Sequence, residues 1–293
     1  NNHTLTLGHQ KLSNPMLNHK TVRMLPTTFS GSTLHSKVMG IDFDLGYITA
    51  IKQRYDDTFT SIGQHIFGNT AEKSPLLYLG VQYQSDNSKL QLWNYQASDF
   101  MNTIYTQGEY KFSNINLSVQ YLKQTEASGF VQNIDSSLLG AKIDYKKSNY
   151  ELSLAYNQSG ETSDVITPWD GTPAFTDSMV SNALETSTKH KGITGVTDSA
   201  YVADTSSYKV ALKLPSIGIT KSALIGSYAA YTQKQSEKTR TEVDIVWVKK
   251  EIYHAIDLKM AYIHVENEKF GGTKTLPQHI TRNQYRIILN YPF

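Results

Sequence analysis

The feature that most narrows what this chain can fold into is an alternation of period two that runs from end to end. At the C-terminus, "QYRIILNYPF" (284–293) sets Tyr285, Ile287, Leu289, Tyr291 and Phe293 against Gln284, Arg286, Ile288, Asn290 and Pro292. Period two marks an extended strand, because successive side chains leave opposite faces. The apolar set continues with none of the charges that usually blunt the edge of a soluble sheet. Something must cover that face. The rhythm recurs in "IDFDLGYITAI" (41–51), where Ile41, Phe43, Leu45, Tyr47, Thr49 and Ile51 oppose Asp42, Asp44 and Gly46. It recurs again in "INLSVQY" (115–121), "YELSLAY" (150–156) and "YKVALKL" (208–214). About fourteen such stretches can be counted.

The connections between them alternate too. Tight breaks fall at 39–40, near 86, and at 113–114, 146–148, 215–218 and 249–251. The intervening ones are longer: 11–31, 52–75, 124–136, 159–206, 233–239 and 266–281, with a short exception near 98. A sandwich would place turns every ~8–12 residues at both ends of its strands. One tight rim and one elaborated rim instead describe an outer-membrane barrel, with short periplasmic turns and longer extracellular loops. Ten residues at ~3.3 Å each, tilted by about 45°, cross an apolar band of about 25 Å. The pattern therefore predicts an all-β, antiparallel up-and-down transmembrane β-barrel in the bacterial outer membrane, with residues 1–293 as one domain. Lipid would cover the apolar face, and closure would pair the last strand.

Composition agrees where it speaks. No stretch approaches the roughly 18 apolar residues of a membrane helix, which excludes a helical membrane protein and not a barrel. Nineteen tyrosines against ten phenylalanines and three tryptophans suit a protein needing many side chains with an apolar body and a wet tip. The absence of cysteine excludes disulfides and thiolate metal sites. A net charge of +2 is too small to imply a nucleic-acid partner. "NNHTLTLGHQ" carries no leader-like segment, so the chain reads as a mature or partial one. There is no P-loop, H-E-x-x-H or G-x-S-x-G, and the nine histidines lack metal-ligand spacing. Neither a catalytic residue nor a cofactor or metal is expected.

Strand parity nominates the pore lining. Basic candidates are Lys142, Lys209, Lys213, Arg240, Lys259 and Arg286; acidic ones are Asp42, Asp44, Asp144, Glu242, Asp244 and Asp257. A lumen of both signs suits solutes that carry both, since charged walls replace part of a solute's hydration. On the opposite face Tyr47, Tyr121, Tyr156, Tyr208, Trp247, Tyr262, Tyr285, Tyr291 and Phe293 are expected to meet lipid.

Residues 7–31, "LGHQKLSNPMLNHKTVRMLPTTFSG", resemble the signature of the OprD family of substrate-specific outer-membrane porins: Leu-Gly-Arg-Gln, then Pro-Leu-Leu-Asn, then Arg-x-Leu-Pro-x-Thr-Phe-x-Gly. Leu7, Gly8, Gln10, Pro15, Leu17, Asn18, Arg23, Leu25, Pro26, Thr28, Phe29 and Gly31 match. His9 stands where the family usually has arginine, so that charge is not carried over. "IKQR" (51–54), "NTIYTQGEYKF" (102–112) and the terminal "NQYRIILNYPF" extend the likeness over the whole chain. The resemblance implies a barrel of about eighteen strands, of which this chain would lack roughly the first four; a complete fourteen-stranded barrel is the alternative, since even counts are allowed. It implies that 11–31 folds inward as a constriction loop bearing Arg23, Pro26 and Phe29, while 159–206 is a long extracellular loop. The implied function is a passive, substrate-selective channel for amino acids and small organic acids. Implied partners are these small-molecule solutes, outer-membrane lipid, the barrel-assembly machinery acting on the C-terminal strand, and further copies in a homotrimer. Two other classes compete. A barrel lipase or protease would need a cluster at the long-loop rim, where His264 and Ser236 lie; an adhesive barrel would use "TPWDGTPAF" (167–175) as a recognition surface.

Overall fold

The structure, a computed structural model, describes residues 2–19, 25–53, 56–67, 74–98, 100–127, 134–179, 200–234, 238–268 and 279–291. It is one antiparallel sheet of fifteen strands. They are β1 (Asn2–Gln10), β2 (Thr28–Val38), β3 (Ile41–Lys52), the two-residue β4 (Thr60–Ser61) and β5 (Leu76–Gln84). Then come β6 (Ser88–Ala97), β7 (Met101–Phe112), β8 (Ile115–Glu126), β9 (Asp135–Lys147) and β10 (Tyr150–Ser159). The sheet continues through β11 (Thr205–Pro215), β12 (Ser222–Gln233), β13 (Lys238–Tyr253), β14 (Ile256–Glu268) and β15 (His279–Asn290). Each long strand pairs with its neighbours in sequence, and β4 adds to β3. The only helix among the described residues is α1 (Ile62–Phe67), where the Ser61 hydroxyl caps the first turn by accepting the Gln64 N–H at 3.2 Å.

The alternation sorts onto two faces. Leu117, Val119 and Tyr121 of β8, Leu139 and Ile143 of β9, and Tyr208, Val210 and Leu212 of β11 lie exposed on the outer face. The opposite face carries a buried apolar cluster that includes Tyr78, Trp93, Tyr95, Leu122 and Leu138. Rings there lie flat over glycines of the adjoining strand: a Cβ at Gly80 would fall 2.3 Å from the Trp93 ring, and one at Gly46 2.1 Å from Tyr78. Larger residues at either position would lift the inner wall.

Three local expectations change. The β2–β3 hairpin turns on Met39 and Gly40, both with positive φ (51° and 81°), the handedness that matches strand twist. Further along that hairpin, however, Ser30 pairs with Ala50 and Gly31 with Ile48, so Thr49 bulges. The bulge reverses parity beyond it, and Ile51, expected on the outer face, is fully buried opposite Phe29. Only glycine fits at 31, because a Cβ would sit 2.1 Å from the Tyr47 carbonyl oxygen. In β13, "KKE" (249–251) is not a turn: the register shifts between Lys249 and Tyr253, Glu251 takes φ 53°, and the chain reverses at 254–255. Finally, the expected pairing that closes the last strand is not made: among the described residues the ladder runs from β1 to β15 without joining them.

Candidate functional site

Three connections from the long-loop rim fold over the inner face and meet. Asn18 N–H donates to the Trp169 carbonyl at 3.1 Å, and Gly171 N–H to the Met16 carbonyl at 3.1 Å. The backbones touch so closely that a Cβ at Gly171 would lie 2.2 Å from the Met16 carbonyl carbon. Asp170, in left-handed conformation (φ 62°), accepts the Thr27 hydroxyl at 2.5 Å in a fully enclosed position. The third connection braces the second: the Pro168 carbonyl accepts from His65 Nε2 at 3.0 Å and from Gln53 Nε2 at 3.4 Å. A carbonyl can only accept, so His65 carries its proton on Nε2, and burial holds its pKa below the usual 6.5. Nearby, Asp164 accepts the Ala203 N–H at 2.7 Å, while burial raises its pKa.

The wall grips this roof through amides. Gln124 of β8 pairs with the Ile166 peptide in both directions, Nε2 to carbonyl and N–H to Oε1, each at 2.8 Å. Asn157 Oδ1 of β10 accepts the Thr176 N–H at 3.0 Å, and the Tyr231 hydroxyl of β12 donates to the Thr176 carbonyl at 2.7 Å. Trp169 is fully buried, with Phe100 tilted against it at 6.5 Å. "TPWDGTPAF" is thus no exposed recognition surface. The part of 159–206 that the structure describes lies against the inner wall, because its apolar side chains find a dry face there.

Between roof and wall lies a chamber of about 320 Å³, bounded by residues 13–15, 18 and 172–173 above and by Gln82, Lys89, Gln91, Trp93, Tyr105 and Gln107 on β5, β6 and β7. Its floor is a ladder of amides, one per strand: Gln82 pairs in register with Gln91 and Gln91 with Gln107, and the row continues beyond the chamber to the buried Gln120. Gln91 Nε2 donates to Gln107 Oε1 at 2.9 Å, and Gln107 Nε2 to Glu109 at 2.7 Å. Trp93 Nε1 and the Tyr105 hydroxyl hold the two carbonyls, at 3.0 and 2.5 Å. Lys89 is the sole charged residue on the chamber wall among the described residues and forms no ion pair there. None of this ladder was nominated by parity of charge; the signal was a glutamine repeating at the same register position.

The nominated residues fall into three groups. Lys142 and Lys213 face inward, half-buried, and pair with Asp144 and Glu151, each at 2.9 Å. Asp42 and Asp44 face inward beside Lys37 (3.4 Å) and His35 (2.8 Å), two residues that the strand reading passed over. Lys259 and Arg286 are also half-buried on this face, and Arg286 donates to Gln284 at 2.6 Å. A second group faces inward but is covered. Arg240, Glu242 and Asp244 are 1%, 1% and 3% exposed, with Arg240 and Glu242 3.6 Å apart and Asp244 accepting the Met179 N–H at 3.4 Å. All three are buried although they face inward, and the 176–179 segment reaches Asp244. Lys209 is tied down as well, donating to the Asp177 carbonyl at 2.5 Å, and Asp257 accepts the Glu251 N–H at 3.0 Å in the turn region.

The third group is the constriction set. Phe29 is not in a loop: it is the second residue of β2 and is fully buried. Pro26 is half-buried just before that strand, and Arg23 lies outside the described residues. Of the outer-face aromatics, Tyr47, Tyr121, Tyr156, Tyr208, Tyr285 and Tyr291 are exposed, and Trp247 and Tyr262 half-exposed. Tyr262 and Tyr285 pair at 5.1 Å; Phe293 lies outside the described residues. His264 bonds Asn283 at 2.7 Å on the outer face and approaches Glu266, while Ser236 is not described.

The family profile described as outer membrane porin, OprD family, matches residues 1–293. No curated protein matches the sequence. Among solved structures, Pseudomonas aeruginosa OpdO superposes with a TM-score of 0.79 at 12% identity, covering 99% of this chain and 76% of that one. Acinetobacter baumannii OccAB3 gives 0.77 at 15% identity (99% and 74% covered), and OccAB4 of the same organism 0.74 at 19% (99% and 72%).

Proposed function

Because the chain belongs to the OprD family of outer-membrane porins, we propose that it forms a passive, selective channel for small zwitterionic or carboxylate-bearing solutes such as amino acids and organic acids. The observation that carries this reading is the mixture of signs on the inner face. Lys142–Asp144, Lys213–Glu151 and Lys37–Asp42 are partly exposed pairs on that face. Each can exchange its partner for the matching end of a solute at little net cost, since half-exposed pairs are worth only about 0–1 kcal/mol. Arg23, in the shared motif, is proposed as a further anion contact. The apolar outer rows would lie in acyl chains with their tyrosines at the headgroups, the C-terminal strand would address the barrel-assembly machinery, and copies would associate as trimers.

The test is reconstitution into planar bilayers. Stepwise currents with reversal potentials favouring anions are expected, and Lys213→Ala and Arg23→Ala should each reduce that preference. Unchanged ion selectivity in both variants would remove these residues from the pathway; lipid or peptide hydrolysis without conductance would reject the channel.

A further inference from the structure

Charge pairing accounts for the open part of the inner face but not for the chamber under the roof. A wall that served carboxylates alone would present donors. This one presents donors and acceptors in turn. Asn14 Oδ1 is spent twice, accepting the Leu17 N–H at 2.8 Å and the Tyr95 hydroxyl at 3.0 Å, so its NH2 group has no partner among the described residues. Gln82 donates to Asp44 at 3.1 Å, leaving its carbonyl oxygen unused. Gln91 and Gln107 each retain a second N–H, and the Gln91 carbonyl a second lone pair, after the bonds that fix them. Trp93 and Tyr105 hold the Gln91 and Gln107 carbonyls in place, so presenting these groups to a ligand requires little reordering.

An alternating donor and acceptor array matches a hydroxyl group, which must both give and take a hydrogen bond; a carboxylate can only take. Lys89 adds one cation at the end of the array. Its cross-strand neighbour is Glu109, but Lys89 forms no ion pair among the described residues, so it can meet an external anion. At about 320 Å³ the chamber falls within the range of small-molecule sites. We propose that this chamber is a subsite for polyhydroxylated carboxylates of sugar-acid type, with Lys89 at the carboxylate and the Gln82–Gln91–Gln107 ladder, helped by Asn14, reading the hydroxyls. This rests on the channel reading and narrows its solute class.

Three solutes separate the terms in the reconstituted full-length protein, read as the concentration that half-blocks the single-channel current. Gluconate carries both features, hexanoate the charge alone, glucitol the hydroxyls alone. Gluconate is expected to block at roughly tenfold lower concentration than either, the worth of one or two net hydrogen bonds. Gln91→Met or Gln107→Met should bring gluconate to the level of hexanoate, and Lys89→Met to the level of glucitol. Equal block by gluconate and hexanoate in the unmodified protein would overturn the inference, whatever the variants do, and would leave the channel standing. A gluconate advantage that survives both glutamine substitutions would overturn it too. Absence of any conductance would reject the channel reading itself, and the subsite with it.

Discussion

Two stretches of the inner wall face the same way and have different fates. On β5–β8 the inward row is Gln82, Gln91, Gln107 and Gln120, neutral side chains in register, the first three beside an open chamber and Gln91 bonded to Gln107. On β13 the inward side carries Arg240, Glu242 and Asp244, all buried, with the Met179 N–H reaching Asp244. The neutral row borders open space while the charged one is buried, the reverse of what charge alone would suggest. Facing the lumen and touching its water are therefore separate properties. Strand parity sets the first; the path of the inward connections sets the second.

Removing one member of a buried ion pair should break the comparison most sharply. Arg240→Met removes one member of the buried Arg240–Glu242 pair, which costs about 3–5 kcal/mol, seen as a lowered unfolding midpoint in detergent; a loss under about 1 kcal/mol would mean that this stretch is wet after all. Next is the contrast between the two faces of one strand. Leu154→Arg, on the exposed outer row of β10, should cost about 2–4 kcal/mol at mid-membrane, whereas Ser153→Arg, facing the lumen, should cost much less. Equal losses in lipid bilayers would refute the assignment of faces.

Smaller effects probe the roof. Gln124→Ala removes both bonds to the Ile166 peptide, at about 1–3 kcal/mol for each buried group left unsatisfied. It should also raise single-channel conductance as the roof loosens; unchanged conductance would mean the roof is held elsewhere. Lys142→Met, at a half-exposed pair on the same face as Arg240, should change stability by at most about 1 kcal/mol while shifting ion selectivity.

The smallest effect is one of pH. Because burial lowers the His65 pKa, its share of stability is complete above 6.5, the unfolded value, and declines as pH falls through 6.5 towards the folded one. Asp164, whose pKa is raised, acts oppositely: its share is present at acid pH and is lost as pH rises through 3.8. An NMR titration placing the His65 midpoint above 6.5 would contradict its place beneath Pro168.

Much of this was legible in the chain. The fourteen long strands, the two unequal rims and the outer apolar rows follow from alternation, which is local. "LLYLG" and "LWNYQ" already break that alternation with apolar residues on both faces, a sign that the wall is covered inside as well as outside. The Thr49 bulge was hidden, since a single unpaired residue flips parity without altering composition. So was the role of "TPWDGTPAF", whose proline, glycine and aspartate read as an exposed loop until Asp170 met Thr27, more than a hundred residues away in sequence.

Sequence alone decided that the chain makes a membrane-spanning wall of up-and-down strands with an apolar exterior, because a side-chain period of two and the bilayer's demand for satisfied backbone are both fixed residue by residue. Tertiary structure alone decided which inward side chains stay beside water and which become core. That choice depends on where three long connections come to rest, and their contacts join residues too far apart in the chain for any local pattern to record.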